Sequence, residues 1–379
     1  MPASMADCRA WHLACLLWLV LLPSLATAHK ASDSYLVLTA GPGEAQTLRW
    51  DLALRDLDLA LDLDRDGDRV LRWGELRPQL DAIAAHAADS LALLAAGGQP
   101  CALTLTPRGL EARSDGNYLV LAGDAACPGG LQGIDYRFLA SRDPTHRGLL
   151  RQDDGGATSV RPLDPNAGPQ ALAAAGESHF TAFVGEGVHH ILIGTDHLLF
   201  LLCLLLPAII HRQPGGWRLA PRPRAALGRV LVTVSLFTLA HSITLALAAL
   251  GLVRLPPALV EAAIAASIVV AAAGNLRSSS RLHAPWLAFG FGLIHGFGFA
   301  NVLDGLALPP GQFATALLAF NLGVEAGQLA VVALAVAVVF GLPWRARLVP
   351  HLMPAGSLAA MAIGGWWLVE RLGGVVLAG

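Results

Sequence analysis

Charge is what this sequence has least of. Only 14% of its 379 residues are charged, against roughly a quarter in soluble globular chains. The two signs nearly cancel, to a formal net charge of −2. No basic surface is left to hold nucleic acid, and no such partner is expected. No phosphate-binding Gly-Lys-Ser/Thr loop is present, so the chain carries no ATP-driven motor of its own. Neither Gly-x-Ser-x-Gly nor His-Glu-x-x-His occurs, which removes two common hydrolase signatures. Cysteine is scarce as well. Cys8 and Cys15 lie in the first 28 residues and Cys203 in an apolar run, leaving Cys101 and Cys127 as one pair. In an oxidising compartment that pair is expected to form a disulfide.

Apolar residues are what the chain has in abundance. They make up 54% of it, and the mean hydropathy is positive, which is the composition of a membrane protein. Residues 1–28 read as a signal peptide: Arg9 at the start, a short apolar core from Trp11 to Leu22, and Ala26-Thr27-Ala28 as a cleavage site. Residues 29–163 are mixed in polarity and would then lie outside the cytoplasmic membrane, in the periplasm.

Within 29–163, "SYLVL" (34–38), "TLRWDLAL" (47–54), "ALTLT" (102–106), "YLVLA" (118–122) and "DYRFLA" (135–140) alternate and are separated by turn-forming clusters. This pattern predicts a small antiparallel β sandwich, with one helix over about 74–96. Ahead of that helix, "DRDGDRVLRWGE" places Asp64, Asp66, Asp68 and Glu75 at positions 1, 3, 5 and 12 of an EF-hand calcium loop. Position 6, where the sharp turn needs glycine, is Arg69, with Gly67 two residues early. The same stretch also reads as an acidic loop that caps the following helix. Residues 164–180 read as a linker.

From 181 to 379 six apolar runs follow, at about 183–210, 230–252, 257–275, 285–307, 313–341 and 352–376, each long enough to span a bilayer. The expected fold is a six-helix membrane α-helical bundle preceded by a small β-rich extracytoplasmic domain. Arg212, Arg218, Arg222, Arg224 and Arg229 crowd the first loop, Arg277 and Arg281 the third, and Arg345 and Arg347 the fifth, while the loops between carry only Arg254. This alternation puts the basic loops in the cytoplasm of a bacterial inner membrane.

Polar residues inside the runs carry the chemistry. The first has Glu186, His190, Asp196 and His197; read as one helix, 186, 190 and 197 share a face and Asp196 leaves it. His241 sits in the second run, His295 among glycines in the fourth, and Asn321, Glu325 and Gln328 form a stripe in the fifth. Each alone could be interhelical glue. Four histidines and at least two carboxylates at a common depth point instead to a site. Imidazole with carboxylate suits a divalent transition metal such as Ni²⁺, Co²⁺ or Zn²⁺, with His190, Asp196, His197, His241, His295 and Glu325 as ligands. Glu186, Asn321 and Gln328 are secondary polar groups. An intramembrane metal-dependent enzyme and a b-type haem protein use the same residue types and remain alternatives.

"HILIGTDH", "FTLAHSITL", "HGFGFA" and "FNLGVEAGQ", with the "AHKASDSYL" start and the "DRDGD…WGE" loop, resemble the HupE/UreJ family in its longer branch with an exported N-terminal domain. The resemblance implies nickel, and sometimes cobalt, uptake for metalloenzyme maturation, with His190, Asp196 and His197 matching the first-helix motif. The family's second motif, His-Gly-x-Ala-His-Gly-x-Glu, is met at His295 and Gly296, but Phe299 and Val302 stand at its second His and its Glu. The exported domain would capture metal or dock a periplasmic delivery or assembly partner.

Overall fold

The computed structural model describes residues 32–377, apart from 42, 44, 69–70, 114–115, 144, 155–156, 173–179, 214–215, 220–222, 278–283, 299–309 and 342–344. The signal segment, Phe299 and Val302 lie outside the described residues. The chain divides into two compact units: Lys30–Phe183 with Asn301–Ala316, and Val184–Ala300 with Leu317–Gly379.

The N-terminal unit is β-rich. Leu48, Trp50 and Leu52 alternate with more polar neighbours and are fully buried, the period-two signature of a strand with one face in the core. They belong to β2 (Ala45–Ala53), which pairs antiparallel with β1 (Asp33–Ala40) through Leu36↔Trp50. On its other side β1 pairs in parallel with β7 (Arg147–Asp154), Tyr35 opposite Leu149. A purely antiparallel arrangement is therefore corrected to a mixed six-stranded sheet, in which β4 (Ala102–Arg113) and β8 (Ala157–Leu163) are the edges. A second sheet has three strands: β3 (Leu91–Ala95), β6 (Leu131–Tyr136) and β9 (Pro169–Ala171), the last inside the segment read as linker. Cys101 and Cys127, at the start of β4 and the end of β5 (Gly116–Ala126), are joined by a disulfide.

The helix expected over 74–96 is shorter and broken. After a first helix, α1 (Leu54–Leu61), it comprises α2 (Trp73–Leu76), a 3-10 turn and α3 (Leu80–Asp89), after which Leu91–Ala95 is strand β3. Ala-Leu-rich sequence favours helix intrinsically, but pairing with β6 overrides the preference.

A chain of hydrogen bonds crosses the core of this unit. Trp50 Nε1 donates to Ser34 Oγ at 3.1 Å, Ser34 Oγ meets Tyr136 OH at 2.8 Å, and Tyr136 OH and Ser32 Oγ hold the two ring nitrogens of His146. One consistent set of donors runs Trp50, Ser34, Tyr136, then His146 Nδ1–H onto Ser32, with the imidazole neutral. Burial, followed by the positive charges of Arg147 and Arg55, pushes His146 down to about 3.

The second unit is helical. Among the described residues, four helices are long and apolar enough to cross a membrane, within α6 (Pro223–Ala249), α7 (Pro257–Leu276), α9 (Pro310–Gly341) and α10 (Arg345–Leu377). A fifth exists if the bent pair α4 (Phe180–Ile193) and α5 (Thr195–Ile209) counts as one. The fourth apolar run is described only as α8 (Ala284–Gly298), 15 residues. Among the described residues, four to five of the six expected spans are therefore long and apolar enough to cross. The unbroken first helix is also corrected: α4 and α5 meet at 75° around Gly194.

Glycines set how closely these helices approach. A Cβ on Gly292 would lie 2.9 Å from Ala240 Cβ, and one on Gly296 would run into Thr244 Oγ1 and the His241 carbonyl. The Gly292-x-x-x-Gly296 face of α8 thus seats directly on α6, and His295 lies within that pair. Likewise, a Cβ on Gly187 or Gly323 would meet the opposite backbone where α4 crosses α9.

Candidate metal centre

Three buried histidines, His197, His241 and His295, and the half-buried His190 converge where α5, α6 and α8 meet the end of α4. Ring centroids lie 4.7 Å apart for His190–His197, 4.9 Å for His197–His295 and 6.4 Å for His197–His241. One nitrogen from each of His190, His197 and His241 falls within a 4.8 Å group. Nitrogens sharing one ion at 2.0–2.1 Å in tetrahedral geometry stand about 3.3 Å apart, so a modest inward movement of the rings would close the shell. Phe237 and Phe200 stack against the cluster, with centroids 5.4 and 5.3 Å from His295. They make its walls apolar.

The hydrogen bonds around the rings fix their tautomers. Asp196 Oδ1 accepts from the backbone N–H of His197 at 2.8 Å and faces its Nδ1 at 3.0 Å. A carboxylate can only accept, so Nδ1 carries the proton and Nε2 the lone pair. Asn321 Nδ2 donates to Leu317 O at 2.8 Å, which orients the amide and turns its Oδ1 toward His241 Nδ1 at 3.3 Å. His241 must then donate from Nδ1. Ser267 spends its hydroxyl proton on Ile264 O, so at 3.4 Å it can only accept from His295 Nε2. In all three cases the opposite nitrogen, His197 Nε2, His241 Nε2 or His295 Nδ1, is buried and makes no hydrogen bond among the described residues. Metal-binding histidines are held by this arrangement, one nitrogen anchored and the other presenting a lone pair.

The break at Gly194 makes this geometry possible. At φ −67° and ψ 90° Gly194 leaves the helix and caps α5. Asp196 then lies in the first turn of α5, where a carboxylate is favoured by the helix dipole, and it folds back on its own neighbour. On an unbroken helix Asp196 would leave the His197 face; here it grips that ring.

Glu325 does not join the histidines. Its Oε1 accepts from Ser235 Oγ at 2.7 Å, and Thr238 Oγ1 donates to Gln328 Oε1 at 3.0 Å. Asn321 supports His241, and Glu186 lies half-buried one turn before His190 on α4. Two supporting residues, Ser267 and Thr238, were not singled out as site members from the sequence. Small hydroxyl residues in apolar helices carry no signal of their own, although Thr238 stood one turn from His241.

In the N-terminal unit, carboxylate oxygens of Asp64, Asp66 and Asp68 also lie within 4.8 Å of one another. Glu75 Oε2 accepts the backbone N–H of Arg72 at 3.0 Å as a helix cap, and its Oε1 accepts that of Arg65, inside the loop, at 3.3 Å. The turn is made by Gly67 at φ +72°, its N–H bound to Asp64 Oδ1, and the Arg72 guanidinium pairs with Asp68 and Asp66.

A family model described as HupE / UreJ protein matches residues 168–371, more than half of the chain and all of the histidine cluster. The chain matches no curated protein. With four to five apolar spans and the matched region enclosing the buried imidazoles, this chain belongs to the HupE/UreJ family.

Proposed function

We propose that the protein is a transition-metal permease of the bacterial inner membrane, of nickel or cobalt type, and that its cargo ion rests among His190, His197, His241 and His295. The observation that carries this reading is the set of three buried lone pairs with fixed tautomers. Because those histidines are already neutral, an arriving ion displaces no proton from the nitrogens it binds. Asp196 supplies a negative charge beside the cluster and raises the basicity of His197. Without thiolate ligands the ion is held loosely enough to leave again.

The alternation of basic loops supports a periplasmic position for the N-terminal β-rich domain, where it would meet a delivery or assembly partner.

Purified protein reconstituted in sealed liposomes should accumulate Ni²⁺ or Co²⁺, and elemental analysis should find about one ion per chain. His197→Ala and His241→Ala should abolish both. Full accumulation by both variants would refute the assignment.

A further inference from the structure

Three side-chain hydrogen bonds stack between α6 and α9. His241 is bound to Asn321, Thr238 to Gln328 and Ser235 to Glu325. From His241 to Ser235 is six residues of helix, a climb of about 9 Å. It runs toward the N-terminus of α6 and the arginine-rich loop before it. Exposure changes along the ladder. His241, Asn321, Thr238 and Gln328 are buried, whereas Glu325 is half-buried and Ser235 is exposed.

Glu325 lies at the centre of the 30-residue span Gly311–Phe340, and Ser235 lies within Leu227–Ala249. An accessible carboxylate at that depth is too costly to face hydrocarbon, and such groups line water-filled cavities.

We infer that this ladder is the passage from the histidine cluster to cytoplasmic water, and that Glu325 is the carboxylate on which a divalent cation pauses as it leaves. A single carboxylate with amide and hydroxyl neighbours binds a borderline cation more weakly than clustered imidazoles. Affinity therefore falls along the ladder in the direction of release. The identity of the cargo rests on the metal-site reading above, whereas the water passage can be tested without it.

The test is cysteine accessibility in the full chain. Ser235→Cys and Leu334→Cys are made in the otherwise native protein, whose free thiol among the described residues, Cys203, is buried. Each is treated with a membrane-impermeant cationic methanethiosulfonate in inverted and in right-side-out vesicles. Leu334 is 61% exposed on the side of α9 opposite Glu325 and serves as the hydrocarbon-facing control. The expected result is labelling of Ser235→Cys in inverted vesicles, at least about an order of magnitude faster than in right-side-out vesicles or at Leu334→Cys. Labelling from neither side, or only from the outside, overturns the inference.

In a second arm, Glu325→Gln should slow Co²⁺ accumulation in liposomes while Co²⁺ still binds at the cluster, and Glu325→Asp should restore part of the rate. Wild-type accumulation by Glu325→Gln overturns the role of Glu325 and leaves the metal site standing. A Ser235→Cys protein that labels as expected but binds no Co²⁺ overturns the metal reading and leaves the passage standing.

Discussion

Gly194→Ala isolates the geometry of the centre from the fold around it. The glycine is not required by its backbone, because φ −67° is open to any residue. It is required by space. A Cβ there would lie 2.8 Å from His197 Nδ1, 2.8 Å from the His190 carbonyl oxygen and 3.4 Å from Asp196 Oδ1. To reach an ordinary contact the ring nitrogen must withdraw by about 0.6 Å. The added Cβ, Nδ1 and Asp196 Oδ1 form a triangle of 2.8, 3.0 and 3.4 Å, so that withdrawal lengthens the Asp196 contact to about 3.2 Å, the long limit of a hydrogen bond, and displaces the ring.

A hydrogen bond to a charged group contributes about 1.5–3 kcal/mol, and losing such support for a metal-bound histidine weakens metal affinity by about 10–100-fold; here the bond is lengthened and not released, so the loss should be about 10-fold, the lower end of that range. Equilibrium dialysis of detergent-purified protein against Ni²⁺ or Co²⁺ should show that loss, with little change in melting temperature. Gly185→Ala, where an added Cβ meets nothing within 4 Å, should bind as the wild type does. Affinity in Gly194→Ala within about threefold of wild type would show that Asp196 does not position His197 for an ion.

Other outcomes follow from the same coordinates. His146 titrates at about 3 in the fold and near 6.5 when unfolded, so the unfolded chain binds the extra proton between those values. Stability of the N-terminal unit should therefore be complete above about pH 6.5 and fall as pH drops toward 3, by on the order of 4 kcal/mol from this group. Hydrogen exchange of β1 and β7 against pH measures it, and a flat response over that window would contradict the assignment of a neutral buried ring. Replacing Cys101 and Cys127 by serine opens a loop with a sequence separation of 26, which loop-closure entropy values at about 3.5 kcal/mol; denaturant titration should show a loss of that size. Gly296→Leu should drive α8 from α6 and displace His295, lowering both metal binding and the melting temperature.

Polar residues inside apolar runs were legible because the bilayer makes each of them expensive. His190, Asp196, His197, His241 and His295 stood out as candidates on that ground alone, and the fold brings them together. The 75° break was not legible. Ile193-Gly194-Thr195 sits inside a long apolar run with only scattered polar residues, and a lone glycine in a membrane helix is ordinary. The signal that was available is a helix start, glycine followed by Thr195 and Asp196.

Glu325 was read as a ligand from its stripe with Asn321 and Gln328. The stripe is real, but a periodicity gives a face and not the partner across from it. In the N-terminal unit, strands with buried alternation such as Leu48-x-Trp50-x-Leu52 were plain. "RGLLRQDD" was not, because β7 is carried by its parallel register with β1 and its own residues are largely polar.

That parallel register also sets a timetable. β1 lies between β2, which directly follows it in sequence, and β7, whose Arg147 partners Asp33 from 114 residues downstream. At synthesis rates of about 5–20 residues per second, β1 waits about 6–20 s for that neighbour. Until then Leu36 and Leu38, which end fully buried, stand on an open strand edge. Non-local pairing of this kind slows closure and exposes the chain to misassociation. A ribosome-arrested chain that stops short of residue 147 should therefore still bind a holdase chaperone, and one extended past β8 should release it.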